Sequence, residues 1–172
     1  VTDKARFMKA DIFESDFSQA TVITMYLLPE LNLRLRPKLL DMKAGTRLVS
    51  HAFTMGEWEP DERAEVEGRS AMLWIVPAKV QGNWTLRQPG GSTAYDLTLT
   101  QQFQTLTGTV RQGSYSGKID EGKLRGESIS FTFADASGTK RRFVGKVAGD
   151  KMEGALDAGN VAEMKWSGER KR

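Results

Sequence analysis

Three short stretches of this chain carry side chains whose types and order could do chemistry together. The first is Ala10-Asp11-Ile12-Phe13. A loop carboxylate can accept a hydrogen bond from a heterocyclic amino group, the next backbone N–H can meet a ring nitrogen, and an apolar neighbour can pack on the ring face. Asp11, Ile12 and Phe13 offer that set in order; the plainer reading is a loop acid that caps a turn. The second is Thr24-Met-Tyr-Leu-Leu-Pro29. Here Tyr26 could orient a substrate amine, or simply end a buried strand, while Leu27, Leu28 and Pro29 could shape a wall that excludes water and positions the reactants. Asn32 and Arg34, just beyond, could reach a ligand, and a surface helix position is the plainer reading of both. The third is His51, the one histidine of the chain. Its unperturbed pKa of about 6.5 suits a base for a substrate proton, and a packed or surface histidine is the alternative. Trp58, between Glu57 and Glu59, could greet a cationic amine, although a Trp folded back over a sheet is the simpler account.

These stretches need elements to position them. Arg6 to Ala10 and Ala20 to Leu27 read as buried parallel strands, with Asp11 where the first ends. Leu31, Leu35, Leu39 and Met42 fall at i, i+4, i+8 and i+11, one stripe of a 3.6-residue period, so a helix is expected over Leu31 to Met42. Pro29 and Glu30 suit its start, Lys43-Ala-Gly45 suits its end, and Pro37 predicts a kink or a break. Thr46 to Ser50 reads as a third strand and Ala71 to Val76 as another, with the polar run from Phe53 to Gly68 as a long loop between them. In open α/β sheets ligands lie outside the carboxyl ends of the strands. That rule brings the three stretches to one edge.

Composition narrows the chemistry. There is no cysteine among the 172 residues, which removes disulfides, thiolate nucleophiles and Cys-based metal sites; with a single histidine, no metal site is expected. The formal charge is +3, much of it in Arg141, Arg142 and the terminal Glu169-Arg-Lys-Arg172. No basic stripe interleaved with aromatics is visible, so no nucleic-acid partner is expected. No apolar run is long enough for a membrane span, and no signal peptide is visible. The compartment stays open.

The run from Lys4 to His51, strand, loop, strand, helix, strand, resembles the back half of a class I S-adenosylmethionine-dependent methyltransferase, and the likeness extends to about residue 78. The resemblance implies a partial Rossmann-like α/β sheet whose cofactor is S-adenosylmethionine. It assigns Asp11 to the adenine amino group and Ile12 to the adenine ring, with Phe13 beside them, and it makes Tyr26 to Pro29 the edge between the cofactor's methyl group and the acceptor. Many amino-methylating members carry an Asn/Asp-Pro-Pro-Tyr type motif at that edge, and this chain does not. In related sequences an acid often follows the histidine, where this chain has Ala52. The glycine-rich loop and the acid that complete the family's cofactor site are not in the chain. The expectation is therefore a fragment that binds the cofactor weakly or not at all, with an exposed sheet edge that favours self-association. The acceptor, a protein amine in the looser resemblance to protein-lysine methyltransferase-like proteins, is not identified.

Composition changes near residue 80. Thirteen of the seventeen glycines lie from Gly90 onward, among eight short alternating segments: 82–88, 95–103, 106–112, 115–120, 122–133, 141–149, 150–157 and 162–170. These predict an all-β antiparallel barrel or sandwich. Ser116-Gly-Lys-Ile-Asp-Glu-Gly-Lys-Leu-Arg-Gly126 and Val144-Gly-Lys-Val-Ala-Gly-Asp-Lys-Met-Glu-Gly154 echo one another, each reading as a hairpin that turns near Asp120–Gly122 or Gly149-Asp150. Asn83-Trp84-Thr85 matches a glycosylation triplet, but Trp84 reads as a core residue. The expected layout is a methyltransferase-like α/β part over 1–79 and a β module over 80–172. A non-enzymatic binding role for the β module is the alternative.

Overall fold

The computed structural model describes residues 3–88, 94–157 and 164–171. Its front holds β1 (Val22–Met25), α1 (Pro29–Leu40), β2 (Arg47–His51), β3 (Glu62–Val66) and β4 (Arg69–Ile75). The strands form one mixed sheet in the order β1-β2-β4-β3, with β1 and β2 parallel and the other pairs antiparallel. Two parallel neighbours need a crossover, and α1 is that crossover.

The inner face of the sheet carries Met25, Leu48, Met72 and Trp74, which pack with Leu35, Leu39 and Met42. Met55 and Trp58 close the same cluster; both are fully buried. The Trp74 indole N–H donates to the Trp58 carbonyl at 2.7 Å, so Trp58 folds back over the sheet and greets no ligand. The outer face is different. Val22, Thr24, Arg47, Val49, His51, Ala71, Leu73 and Ile75 occupy it, and none of them is buried.

The remaining strands are β5 (Gly82–Arg87), β6 (Ala94–Gln102), β7 (Thr105–Gln112), β8 (Tyr115–Arg125), β9 (Ser128–Ala134), β10 (Lys140–Ala148), β11 (Lys151–Asp157) and β12 (Lys165–Arg170). Each pairs antiparallel with the next, and β12 returns to β5 to close a barrel. Closure leaves no free edge in this part. Its interior is filled by Trp84, Leu86, Phe131, Phe133, Phe143 and Trp166, the common fate of a small barrel. Two glycines permit a close strand crossing here: a Cβ on Gly145 would lie 2.2 Å from the Glu153 carbonyl and 2.7 Å from the Trp166 ring, and one on Gly154, directly opposite, would strike the Val144 carbonyl at 1.9 Å.

Sheet and barrel grip each other. Phe103, in the β6–β7 turn, stacks on Trp58 with centroids 6.0 Å apart, and the Arg36 guanidinium covers its ring. The Gln104 amide donates to the Glu59 carbonyl at 2.7 Å, Ala78 N–H donates to the Gly126 carbonyl at 2.9 Å, and Arg125 pairs with Glu62.

Several expectations change. Arg6 to Ala10 is not a buried strand: Phe7 is 90% exposed, and no described strand lies beside it to satisfy its backbone groups. The strand from Ala20 shortens to Val22–Met25. The helix starts at Pro29, passes Pro37 without a break and ends at Leu40; Gly45, at φ 88°, serves the turn into β2 instead. Part of the long loop is strand β3, joined to β4 by Glu67 and Gly68, both at positive φ, the geometry of a tight hairpin turn. In the β part the second echo turns at Gly149-Asp150 as expected. The first does not: β8 passes Asp120–Lys123 as a bulge and turns only at Gly126-Glu127. Residues 162–163 of the last expected strand lie outside the described residues.

Candidate functional site

Because β1 and β2 are parallel neighbours, their carboxyl ends meet at one edge. Tyr26 leaves β1 there and His51 ends β2, and their rings lie 4.9 Å apart at 36°. Tyr26 is 83% exposed while His51 is half-buried beneath it. The chain reverses directly after His51. Ala52 takes φ 61°, and its N–H donates to the Ser70 carbonyl at 2.9 Å. Leu27 packs into the core of the sheet, whereas Leu28 is exposed and stands as the cap residue ahead of Pro29.

Asn32 lies under this edge and is fully buried. Its side-chain amide donates to Ser50 Oγ at 3.1 Å and faces the Phe53 and Thr54 carbonyls, both at 3.3 Å. Its Oδ1 has no partner. Arg36, one turn along, donates to the Met55 carbonyl at 2.8 Å. The helix therefore holds the loop after His51 by two side chains. Asn32 is not the surface helix residue that the sequence suggests: it is buried and braces the loop. The signal was present, since Asn32, Leu35 and Leu39 share the i, i+3, i+7 stripe of the helix's buried face.

The Asp11 loop sits elsewhere on the helix. Asp11 Oδ1 accepts from the Phe13 N–H at 2.8 Å, and the Asp11 carbonyl accepts from the Ser15 N–H at 2.9 Å, so Asp11 does cap a turn. Its second carboxylate oxygen and the partly exposed Ile12 remain on the open side. Phe13 does not join them: its ring lies half-buried under the Arg34 guanidinium, 3.9 Å away. Lys38 fastens the loop, donating to the Phe13 and Ser15 carbonyls at 3.1 and 2.5 Å while lying over Phe17. No hydrogen bond or ring contact joins Asp11 or Ile12 to Tyr26 or His51 among the described residues.

The charges on the helix and the loops around it are unequally engaged. Arg34, Arg36 and Lys38 are held in the contacts just named. Glu14, Glu30 and Glu57 are exposed and make no ion pair among the described residues. No group of three or more His, Cys, Asp or Glu that could hold a metal occurs among the described residues, and no helix there is long and apolar enough to cross a membrane.

Comparison with known proteins bears on the same segment. Residues 1–62 match the model of the ANTKMT methyltransferase domain. A protein-lysine N-methyltransferase of Saccharolobus islandicus (strain REY15A) is 48% identical over 68 residues, which is 39% of this chain and 42% of that protein. An RNA methyltransferase from Salinibacter ruber, solved in complex with S-adenosyl-L-homocysteine, shares 45% identity with a TM-score of 0.42, covering 43% of this chain and 49% of that one. The chain thus spans less than half the length of these relatives. Over residues 1–62 the chain is similar in sequence to a methyltransferase domain, and the 48% identity to a protein-lysine N-methyltransferase is a likeness of the same kind.

Proposed function

We propose that residues 1–79 form the acceptor side of a methyltransferase centre, part of a Rossmann-like sheet, and that the methyl group goes to a protein amine. Residues 80–172 are then a second unit that braces it. The observation that carries this reading is the Tyr26–His51 pair, 4.9 Å apart at the carboxyl ends of two parallel strands, where open α/β sheets place their ligands.

The residues present fit an adenine end of the cofactor in part. Asp11 keeps one carboxylate oxygen for an amino group and Ile12 keeps an apolar face, whereas Phe13 is committed to Arg34. When bound, S-adenosylmethionine would supply an electrophilic methyl group carried on a positively charged sulfur. The rest falls to the chain. A protonated amine has no lone pair to attack with, so His51 accepts its proton, and the Tyr26 ring holds the chain that bears it. Leu28 and Pro29 wall the approach against water. The exposed Glu30 and Glu57 favour a cationic acceptor over a phosphate-rich one. Asn32 acts by fixing the loop that follows His51.

The chain alone is expected to bind the cofactor weakly. Titration with S-adenosylhomocysteine followed by amide NMR should move the signals of Asp11 and Ile12 at millimolar concentrations. A lysine-containing peptide should move those of Tyr26 and His51. Shifts confined to other residues would refute the site, and micromolar binding by calorimetry would overturn the expected weakness.

The same reading explains the sheet's edges. β3 is protected in the usual way by Glu62, Arg63 and Glu65, whereas β1, Val22-Ile-Thr-Met25, carries no charge. An unprotected edge beside an uncovered apolar face favours pairing with another strand. Self-association through β1 is the expected outcome for this chain.

A further inference from the structure

One face of the front sheet is packed by α1, and the other is bare. The registers set Val49 beside Leu73, and Arg47 beside Ile75, on that bare face; its three apolar side chains here are only half-buried. The next row carries His51 beside Ala71 and Ala64. Two alanines leave a shallow trough that leads to the His51 ring and to Tyr26 stacked on it. Four strands about 4.8 Å apart make the face about 14 Å wide, room for one helix of about 10 Å diameter. At the Ile75 end the barrel stands as a wall. A Cβ on Gly126 would lie 3.2 Å from Ile75 Cγ2, and Lys43, Arg125 and Glu127 line the corner. Charge on the face is one-sided. The side chains of Arg47 and Arg69 are exposed and make no ion pair or hydrogen bond among the described residues. Glu62, the only carboxylate that the described registers put on this face, is paired with Arg125.

We propose, resting on the acceptor-side reading above, that the protein acceptor docks on this face through an acidic amphipathic helix. Its apolar stripe lies on Val49, Leu73 and Ile75, and it carries the acceptor lysine to His51. Arg47 stands about 13 Å from His51 along β2, four residues at about 3.3 Å each, a little over two helical turns. Arg69 lies two residues beyond Ala71 along β4, about one turn to the other side. Carboxylates about two turns before the lysine and one turn after it therefore meet the two free arginines. The lysine stem rests in the alanine trough with its amine at the Tyr26–His51 pair. Glu30 and Glu57 draw the amine, and the arginines draw its acidic neighbours. A second copy of the chain is a poorer occupant, since it would bring two more unpaired arginines and no free carboxylate.

The test is fluorescence anisotropy of the full chain with a labelled peptide of about 18 residues, long enough to hold a helix alone. The peptide bears a leucine stripe, flanking glutamates and one central lysine. It should bind about tenfold more tightly than an isomer whose leucines are scrambled off the stripe. R47A combined with R69A should weaken binding about three- to tenfold without changing the melting temperature. Leu73→Thr should weaken it about fivefold, and Lys118→Ala, on the barrel, should leave it unchanged. In amide NMR the helical peptide should move Val49 and Leu73 together with Tyr26 and His51. Equal binding of the two peptides, undiminished binding by the double arginine variant, or shifts that spare Tyr26 and His51 would overturn the proposal. So would a peptide that dissociates a self-associated chain, the mark of a second copy on this face. A short unstructured lysine peptide separates the two readings: if it moves Tyr26 and His51 while the helix fails, the acceptor site stands and only its docking surface falls.

Discussion

Replacing Asn32 tests whether the helix braces the loop behind His51. Its amide carries two hydrogens for three acceptors, at 3.1, 3.3 and 3.3 Å, so the equivalent of about two hydrogen bonds is at stake. Asn32→Leu keeps the branched shape and removes both the donors and the orphaned Oδ1. Buried Ser50 then lacks its partner, a cost of about 1–2 kcal/mol. The Phe53 and Thr54 carbonyls belong to exposed residues and reach water, so they add about 1 kcal/mol together. Relief of Oδ1 returns about 1 kcal/mol, leaving a net loss of about 1–2 kcal/mol. Asn32→Asp has the same shape but turns a buried, unpaired carboxylate toward two carbonyls, at a cost of about 3–5 kcal/mol. Urea unfolding followed by tryptophan fluorescence gives both values, since Trp58 and Trp74 report the sheet and Trp84 and Trp166 the barrel. In acid the Asp variant should recover toward the Leu variant, because a protonated carboxyl regains one donor. Equal stability of the parent and the Leu variant, or an Asp variant no worse than Leu at neutral pH, would refute the bracing role.

Two acids should respond to pH with opposite signs. The Ser137 hydroxyl, Arg141 and the Thr139 and Ser137 N–H groups hold Asp135 well below the usual carboxylate range. Its contribution is present above the unfolded pKa of about 4 and is lost as pH falls through the folded value, so Asp135→Asn should cost about 1–2 kcal/mol at neutral pH and much less at pH 2. Burial raises Asp61, outweighing its bond from the Ile75 N–H and the nearby Arg125 and Lys123. That group weakens the fold as pH rises through the window from about 4 to its folded value, so Asp61→Asn should be neutral or slightly stabilising at pH 7 in the same unfolding assay. Ala52 sits at φ 61°, where Asn and Asp are several-fold enriched; Ala52→Asn should stabilise by about 0.5–1 kcal/mol, read as a rise in melting temperature. Thr24→Lys places an edge charge on β1 and should convert the self-associated species to monomer by light scattering; a parent that is monomeric throughout would remove that idea.

What was legible in the sequence follows the range of the interactions. The helix stripe, the eight alternating β segments and the Gly149-Asp150 turn depend on residues a few positions apart, and periodicity reports them directly. Tyr26 and His51 were singled out separately, and the parallel register that stacks them was implied by the crossover helix. The contacts that build the seam were not legible. Phe103 meets Trp58, and Gln104 meets Glu59, only because a barrel turn reaches into the core of the sheet. Arg6 to Ala10 misled because a short run with adjacent apolar residues becomes a buried strand only when a neighbour is there to pair with it.

The seam also bears on how the site is held. The loop after His51 is fixed from one side by Asn32 and Arg36 of the helix. From the other it is fixed through Trp58, whose carbonyl takes the Trp74 indole N–H and whose ring stacks on Phe103 of the barrel. Arg36 serves both sides, donating to Met55 while lying over Phe103. A small sheet with one uncovered face has little core of its own. The barrel lends it a second packing surface at the loop that positions the candidate base, so the geometry of His51 depends on a turn some fifty residues downstream.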